Sequence, residues 1–229
     1  MIQNKNLDLL KKIPFFAEMT NKEFRIISDV ILDKQYKENS YLFFENAKGN
    51  DLFIILSGLV RIYKSDSTGK VKTLAYLRSG DFFGEMSILD GEVRSASAQA
   101  MEDTHVYVIK GNDFKREIVN NPIVAWKIMK TLSKRLRDAN KQIENLTFRN
   151  LPGRLANVLI DLSRKHGKKV SNGIRINLKL THQDLADMVG TAREVVTTLM
   201  SAFKKANCID MDKHYVTITN KEELSTWVT

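Results

Sequence analysis

The stretch FGEMSILDGEVRSASA, Phe83–Ala98, carries the strongest signal for the fold of the first half of the chain. It places a glycine, an acid, an arginine and small residues in one loop, as a pocket for a cyclic phosphodiester requires. Arg94 would supply a forked cation for the phosphate, and Glu85 would accept a hydrogen bond from a ribose hydroxyl. An alternative stays open, in which Glu85 and Arg94 pair with each other across a loop that binds nothing.

The backbone of the same stretch also favours an anion pocket. Gly84 would let the main chain approach the ligand closely, and Ser95 would add a hydroxyl group. Residues 85–89 can form one helical turn, and the amides at its start, including that of Met86, favour an anion. The sequence therefore predicts a pocket for a cyclic nucleotide, cyclic AMP or cyclic GMP.

Around this loop, the segment from about Lys34 to Lys110 alternates apolar and polar residues with a period of two. Runs rich in β-formers, such as DLFIIL, LVRIYK and HVYVIK, alternate with glycine or Asp/Ser turns. Many short strands at regular spacing predict a small antiparallel barrel or jelly roll. Ahead of it, residues 8–31 predict short helices, with Thr20 as an N-cap and Glu23 as its capping-box partner.

A long helix is predicted after the barrel. Residues 112–120 predict a short helix, and Pro122 lies where a new helix would begin. From there to about Phe148, apolar residues recur at alternating spacings of three and four, which is the a/d seam of a coiled coil. Such a stripe is often the core face of a helix, but a long strict seam between two domains favours a dimer interface. The seam consists of Met129, Leu132, Leu136, Ala139, Ile143 and Leu146.

The second informative stretch is LTHQDLADMVGTAREVVTTLMSAF, Leu180–Phe203. Thr181 would precede a first helix, and Gly190 would supply the left-handed backbone of the turn after it. Thr191 would cap a second helix, with Glu194 completing a capping box. This pattern predicts a helix-turn-helix, and the strand IRINLKL before it and a hairpin around HYVTITN after it make it a winged helix. The residues packed between its helices would be Leu185, Ala186, Val189, Val196 and Leu199.

The N-terminal end of the second helix is where such a motif contacts bases in the major groove. Arg193 can bind a guanine through two hydrogen bonds, and Glu194 can accept one from a cytosine amino group. An alternative stays open, in which Arg193 and Glu194 form a surface ion pair on an ordinary helical hairpin. The candidate DNA-binding residues are Thr181, Thr191, Ala192, Arg193, Glu194, Thr197 and Thr198.

These elements predict an α+β chain with three parts: an N-terminal jelly-roll barrel, a long dimerisation helix and a C-terminal winged helix-turn-helix. The segment Asn150–Gly153 marks the boundary before the last part, which begins with a helix over residues 154–165 and a basic loop, RKHGKKVSNG. We therefore expect a sensor domain at 1–121, the dimerisation helix at 122–149 and the DNA-binding domain at 150–229.

The net charge of +9 is unevenly distributed. Residues 1–110 hold 15 Lys and Arg against 15 Asp and Glu. Residues 111–150 hold 9 against 4, and residues 151–229 hold 12 against 8. Because the excess lies in the half that carries the helix-turn-helix, it predicts a surface for DNA phosphates.

Composition argues against several other classes of protein. No apolar run approaches 18 residues and residues 1–20 are charged throughout, so we expect neither a membrane span nor a signal peptide. A single cysteine, Cys208, cannot form an internal disulfide or a multi-cysteine metal site, and a reducing cytoplasm fits it. The four histidines are not at metal-ligand spacing, so we expect no metal. No nucleophile–base pair and no ATPase-type phosphate loop supports an enzyme.

Residues from about Leu9 to Ile218 resemble the cyclic-AMP receptor protein/FNR superfamily of bacterial transcription regulators. GDFFGEMSILDGEVRSASA is similar to the family's phosphate-binding cassette, and THQDLADMVGTAREVVTTL to its helix-turn-helix. IENLTFRNLPGRLANVLIDL is similar to the junction between its dimerisation helix and its DNA-binding domain. The resemblance implies a homodimer that binds a two-fold operator near promoters and contacts RNA polymerase. The residues that match the family's ligand and base contacts are Gly84, Glu85, Arg94, Ser95, Arg193 and Glu194.

Several positions depart from the family pattern. Ala139 and Asn140 replace the consecutive Thr and Ser that hold adenine in the cyclic-AMP receptor, and Ala139 cannot hydrogen-bond a base. Thr198 replaces a common base-reading arginine, which implies a different half-site. The resemblance implies neither an iron–sulfur cluster nor haem. The N-terminal cysteine cluster of the oxygen-sensing members is absent, and residues 60–104 hold no histidine for haem.

The sequence therefore predicts a homodimeric transcription regulator gated by a small molecule. Two alternatives stay open. One is a regulator of the same family that needs no effector or responds to a different one. The other is a nucleotide-sensing adaptor that acts on a protein partner through its winged helix.

Overall fold

The computed structural model of the chain describes residues 30–118 and 121–228. The helices predicted before Val30, with Thr20 and Glu23 at their cap, lie outside the described residues. The chain divides into two compact units. One contains the chain up to Lys64 together with Thr73–Arg135, and the other contains Ser65–Lys72 and Leu136–Thr229.

Two four-stranded sheets form within residues 30–118 of the N-terminal half. Their strands are β1 Ile31–Tyr36, β2 Tyr41–Phe43, β3 Asp51–Ser57, β4 Leu59–Ser65, β5 Val71–Arg78, β6 Phe82–Phe83, β7 Ser97–Ala100 and β8 Thr104–Lys110. The strand orders are β1-β8-β3-β6 and β2-β7-β4-β5. Strand β8 pairs antiparallel with β1 and with β3 along most of its length. These sheets confirm the predicted antiparallel jelly roll.

Strand β3 separates two hydrophobic cores. Its side chains alternate between opposite faces of the sheet, and four consecutive residues are buried. Leu52 and Ile54 enter one core, while Phe53 and Ile55 enter the other. The first core also contains residues of the helices that follow the sheets, and the second contains residues of both sheets: Val60 and Ala98 from one, Val106 and Val108 from the other.

Among the described residues of this half, the helices are α1 Met86–Leu89, α2 Gly111–Asp113, which continues into a π-helical turn at Phe114–Ile118, and α3 Pro122–Phe148. Helix α3 begins at Pro122, as predicted, since proline lacks the N–H that a first helical turn leaves unused. Val124 and Ile128 of α3 are buried in the same core as Leu52 and Ile54. This packing fixes the start of α3 against the β-structure of the N-terminal half.

The second unit contains a winged helix. Its elements are α4 Leu151–His166, β9 Gly167–Val170, β10 Gly173–Ile176, α5 His182–Val189, α6 Arg193–Lys205, β11 Ile209–Asp212, β12 Tyr215–Ile218 and α7 Lys221–Thr226. The strands form one sheet in the order β11-β12-β10-β9. This confirms the predicted winged helix-turn-helix and, with the sheets of the first half, the α+β fold class.

Two local predictions differ from the structure in this unit. The segment predicted as a basic loop contains β9, because Gly167–Val170 pairs with β10 as a hairpin over Ser171 and Asn172. Helix α4 begins at Leu151 rather than at residue 154. Its N-cap is Asn150, whose side chain accepts a hydrogen bond from the backbone N–H of Gly153.

Within 30–118 and 121–228, no helix is long and apolar enough to cross a membrane. In the same two ranges, no group of three His, Cys, Asp or Glu residues is placed to hold a metal ion.

Candidate ligand-binding and nucleic-acid-binding sites

Gly84 lies where the backbone after β6 passes close to Arg94. Its φ is 83°, in the left-handed region that glycine adopts at little cost. A Cβ atom at this position would lie 2.7 Å from the carbonyl oxygen of Asp51 and 2.8 Å from Nη1 of Arg94. Both the backbone conformation and the available space therefore require glycine here.

The Arg94 side chain is buried beside the start of α1, and the residue is only 4% exposed. Nη1 donates to the carbonyl oxygen of Gly84 at 2.8 Å and to Oγ of Ser87 at 2.9 Å, and Nη2 donates to the carbonyl oxygen of Asp51 at 3.0 Å. The guanidinium lies 4.4 Å from the centroid of the Phe43 ring. Burial lowers the pKa of Arg94, yet an arginine stays charged in proteins. Its Nε is buried and finds no hydrogen-bond partner among the described residues.

Glu85 pairs with the long helix and not with Arg94. The residue is 1% exposed, and its Oε1 accepts from Nη1 of Arg135 at 2.7 Å. The other terminal nitrogen of Arg135 donates to the carbonyl oxygen of Phe82. The alternative in which Glu85 and Arg94 pair directly is therefore wrong. Oε2 of Glu85 is buried with no partner among the described residues.

The sequence analysis missed three residues that contact this cluster, Ser87 within the cassette and Gly49 and Arg135 outside it. Ser87 is buried and accepts a hydrogen bond from Arg94. A Cβ at Gly49 would lie 2.2 Å from Nε of Arg94, so the arginine requires a glycine there. Arg135 is 50 positions from Glu85 in the chain, so no local pattern joins them. The only hint of this contact in the sequence was the position of Arg135, a cation directly before the seam residue Leu136.

The other predicted ligand residues are accessible to solvent. Ser95 is exposed and its Oγ donates to Sδ of Met86 at 3.4 Å, while Met86 is itself about half exposed. Ala139 and Asn140 are both exposed on the part of α3 that belongs to the second unit. The structure thus joins Gly84, Glu85 and Arg94 in one buried cluster and leaves these four residues at the surface.

Most of the predicted seam of α3 is exposed in the single chain. Leu136 is 64% exposed, and Met129, Ala139, Ile143 and Leu146 are exposed as well. Leu132 is half-buried against the core that holds Val124 and Ile128. The apolar seam is therefore largely unused by the packing of one chain.

The first helix of the helix-turn-helix begins and ends as predicted. Thr181 is its N-cap and forms a capping box with Asp184, in which each side chain bonds the other residue's backbone N–H. Gly190 ends the helix with a φ of 79°, in the left-handed region. The predicted inner residues Leu185, Ala186 and Val189 are all buried.

The second helix, α6, begins one residue later than predicted, and the cap predicted at Thr191 is wrong. The N-cap is Ala192, which has no side-chain cap. Thr191 still belongs to the turn, because its backbone N–H donates to the carbonyl oxygen of Ala186. Val196 is buried as predicted, and Met200 and Phe203 are buried with it, whereas Leu199 is only half-buried.

The opposite face of α6 is exposed. It carries Arg193, Glu194, Val195, Thr197 and Thr198, with Ala192 just before it. No ion pair joins Arg193 to Glu194 within the described part of the chain, so the surface-pair alternative has no support. The hydroxyls of Thr197 and Thr198 donate to the carbonyl oxygens of Arg193 and Glu194.

A residue that the sequence analysis did not select contacts this face. Nδ1 of His182, the first residue of α5, lies 2.8 Å from Oγ1 of Thr197. Nearby, Lys204 at the end of α6 forms an ion pair with Asp210 at 3.0 Å, and this hydrogen bond lowers the pKa of Asp210. Lys205 and the β9 lysines, Lys168 and Lys169, are exposed.

Comparison with protein families assigns both halves of the chain. Residues 33–121 match the cyclic nucleotide-binding domain, and residues 153–227 match the Crp-like helix-turn-helix domain. The chain is 32% identical to the anaerobic regulatory protein of Bacillus subtilis, over 87% of this chain and 84% of that protein. It is 30% identical to the cyclic AMP receptor protein of Thermus thermophilus, over 87% of this chain and 89% of that protein. The chain therefore belongs to the cyclic-AMP receptor protein/FNR superfamily of bacterial transcription regulators.

Solved structures agree with this assignment. A CooA variant from Carboxydothermus hydrogenoformans superimposes with a TM-score of 0.77 at 27% identity, covering 89% of this chain and 90% of that one. A transcriptional regulator of the CRP/FNR family from Thermus thermophilus gives a TM-score of 0.72 at 26% identity, covering 86% and 98%. Because the relatives are transcription regulators, the chain is a DNA-binding regulator and not an enzyme.

Proposed function

We propose that the chain is a homodimeric, sequence-specific transcription regulator of the cytoplasm, gated by a cyclic nucleotide bound in its N-terminal barrel. The observation that carries the ligand proposal is a pair of buried charged groups with unused hydrogen-bonding atoms. Nε of Arg94 and Oε2 of Glu85 are both buried without partners among the described residues. A buried polar atom left unpaired costs about 1–3 kcal/mol, and a ligand with a phosphate and a hydroxyl would supply both partners.

The residues of the cassette fit a cyclic nucleotide. Arg94 would hold the phosphate, with Gly84 allowing the backbone to approach and the first amides of α1 favouring the negative charge. Glu85 would accept from the ribose hydroxyl. Met86 and Ser95 would lie at the outer edge, and Ala139 and Asn140 would face the base from α3. Ala139 offers no hydrogen bond, so we expect weak discrimination between adenine and guanine.

The Glu85–Arg135 ion pair supports gating through α3. Arg135 reaches the cassette from the same helix that carries the exposed seam. A ribose hydroxyl that donates to Oε2 of Glu85 would share the carboxylate with Arg135, which bonds Oε1, and so would alter how strongly that carboxylate holds α3. A ligand can shift such an equilibrium only through contacts that differ between the two states, and this carboxylate is one such contact.

The seam of α3 supports a homodimer. A second copy would bury the exposed apolar residues Met129, Leu136, Ile143 and Leu146 against their own equivalents. Two identical helices bring two winged helices together, so the DNA target would be a two-fold operator with one half-site per chain. The exposed face of α6 would read the bases of each half-site, and Thr181 and Thr191 would lie near the sugar-phosphate backbone of the DNA. We also expect contact with RNA polymerase, because the resemblance to the family implies it.

One observation favours the alternative of a regulator with no effector or a different one. Groups of the chain itself give Arg94 three hydrogen bonds and Glu85 an ion pair. Most of the hydrogen-bonding capacity of Arg94 and Glu85 is therefore satisfied by groups of the protein. The alternative of a protein-binding adaptor predicts little retention on DNA, whereas a regulator is retained on arbitrary DNA and released steeply by salt.

The deciding experiment is calorimetric titration of cyclic AMP and cyclic GMP into the wild type and Arg94→Leu. We expect binding to the wild type and none to the variant, since the phosphate contact is lost. Arg116→Leu is the matched control, because Arg116 pairs with Asp113 on the surface of the π-helical turn. Equal affinity in wild type and Arg94→Leu contradicts the pocket. Absence of binding to the wild type favours the effector-free or differently gated alternative.

A further inference from the structure

His182 links the two helices of the helix-turn-helix through a single hydrogen bond. Thr197 donates its one hydroxyl proton to the carbonyl oxygen of Arg193 at 3.0 Å. Its oxygen is therefore free to accept, and Nδ1–H of His182 donates to it at 2.8 Å. This arrangement assigns the hydrogen of the neutral imidazole to Nδ1. The other ring nitrogen, Nε2, is left without a hydrogen.

The groups that face the imidazole from neighbouring elements are an arginine and a second histidine, and neither is a carboxylate. Arg193 approaches from α6, and His214 approaches from the β11–β12 turn. That turn is held beside α5 because the backbone N–H of Leu180 donates to the carbonyl oxygen of His214 at 2.8 Å. On its own helix, the carboxylate of Asp184 already accepts from the backbone and hydroxyl of Thr181. Burial first, and then Arg193 and His214, lower the pKa of His182.

Building on the DNA-binding function proposed above, we propose that His182 is a DNA-backbone contact that binds a proton from solvent when DNA binds. In the bound state, Nε2–H donates to a phosphate oxygen, and Nδ1–H continues to hold Thr197 on the recognition helix. The first helix of a helix-turn-helix crosses the DNA backbone, and His182 is the first residue of that helix. His182 is therefore a positioning residue for Thr197 as well as a phosphate ligand.

The direction of the pH effect follows from the change in surroundings. In the free protein, burial first and then the neighbouring Arg193 and His214 disfavour the imidazolium, so the pKa of His182 lies below the ordinary histidine value of about 6.5. In the complex, phosphate charges favour the imidazolium and neutralise Arg193, so the pKa rises. At pH values between the pKa of His182 in the free protein and its pKa in the complex, DNA binding is accompanied by uptake of a proton. DNA affinity should be constant below the free-state pKa, fall as pH rises through the window, and level off above the bound-state pKa.

The test measures binding of the full-length chain to a fluorescein-labelled duplex of arbitrary sequence at low salt, from about pH 5.5 to about pH 8.5. Arbitrary sequence suffices because phosphate contacts are independent of sequence. We expect wild-type affinity to fall across the window by up to about tenfold per pH unit for each chain. The salt dependence should also be steeper at the acid end by about one phosphate contact per chain.

Three variants isolate the imidazole. In His182→Asn the amide can still donate to Thr197 but cannot gain a proton, so affinity should stay at the wild type's alkaline level. In His182→Arg the charge is permanent, so affinity should stay near the acid level. The matched control His214→Asn removes the neighbouring histidine and should keep a pH-dependent affinity, with the acid end of the window at higher pH because His214 lowers the pKa of His182.

The outcomes separate the two proposals. A wild-type slope in His182→Asn, or a flat profile in the wild type, overturns the role of His182 and leaves DNA binding in place. No binding at any pH overturns both proposals. Circular dichroism melts that match the wild type exclude loss of the fold as the cause of a flat profile in a variant.

Discussion

At the scale of single residues, glycines set the position of the buried cation. Gly49 and Gly84 both lie next to Arg94. At Gly49 a side chain would overlap the guanidinium, and at Gly84 both the lack of space and the positive φ require glycine. A side chain at either position would occupy space that the guanidinium or the Asp51 carbonyl uses. The ligand chemistry of Arg94 therefore depends on two residues that carry no functional group.

Gly84→Ala is expected to reduce both stability and ligand binding. The left-handed backbone alone costs an alanine about 1–2 kcal/mol, and the added methyl would also lie within 3 Å of the Asp51 carbonyl oxygen. Gly91→Ala is the matched control, since its φ is 80° and no atom lies within 4 Å of its Cβ position. Thermal melts and calorimetric titrations with cyclic AMP compare the two variants. Equal losses in both would mean that space around Gly84 is not limiting.

A second prediction at this scale concerns the capping threonines. Thr181→Ala removes a capping box and should lower the free energy of unfolding of the winged helix by about 0.5–2 kcal/mol. Thr191→Ala is the control, because Thr191 lies in the turn and caps nothing, and it should change stability by less than about 0.5 kcal/mol. Calorimetric melts of the full chain measure both. A larger loss in Thr191→Ala would place the start of α6 one residue earlier.

At the scale of elements, the local patterns were predictable from sequence and the contacts between elements were not. The period of the strands, the left-handed Gly190 and the seam of α3 each depend on neighbouring residues only. The pairing of Glu85 with Arg135 and the bond from His182 to Thr197 depend on how separate helices pack. Thr191 failed as a cap for a related reason, since the carbonyl of Ala186 in the preceding helix holds its N–H.

The seam of α3 yields a prediction for assembly. Leu136→Glu would place a carboxylate in the interface of each chain, at a cost of several kcal/mol if it stays buried. We expect light scattering after size exclusion to report a monomer, or a much weaker dimer. Ser133→Glu adds the same group at an exposed position outside the seam and should leave the dimer intact. A wild-type-like dimer in Leu136→Glu would exclude α3 as the interface.

At the scale of the whole molecule, we expect Arg193 to contribute sequence specificity and exposed lysines to contribute affinity for DNA of any sequence. Arg193→Ala should cost about 1–3 kcal/mol per half-site and relax the preference at one base pair. Lys205→Ala should weaken all sequences alike and lower the salt slope by about one. We choose Lys205 rather than the adjacent Lys204 for this test, because Lys204 already forms an ion pair with Asp210.

Selection from a randomised operator pool with the wild type and both variants measures the two effects. Recovery of an unchanged motif with Arg193→Ala would mean that Arg193 does not read bases. Thr198 has a shorter reach than the arginine common in the family. We therefore expect one operator position to be less constrained than in relatives.

Strand β3 gives the cassette a mechanical connection to the long helix. Its first residue, Asp51, offers the carbonyl that Arg94 holds, and the next residue, Leu52, packs in the core where Val124 and Ile128 seat α3. A displacement of the Arg94 guanidinium would therefore act on the Asp51 carbonyl, which is adjacent in the chain to the core residue Leu52 that packs with α3. A phosphate that draws Arg94 off that carbonyl would let the strand relax, and a close-packed core passes on such a movement because it compresses so little.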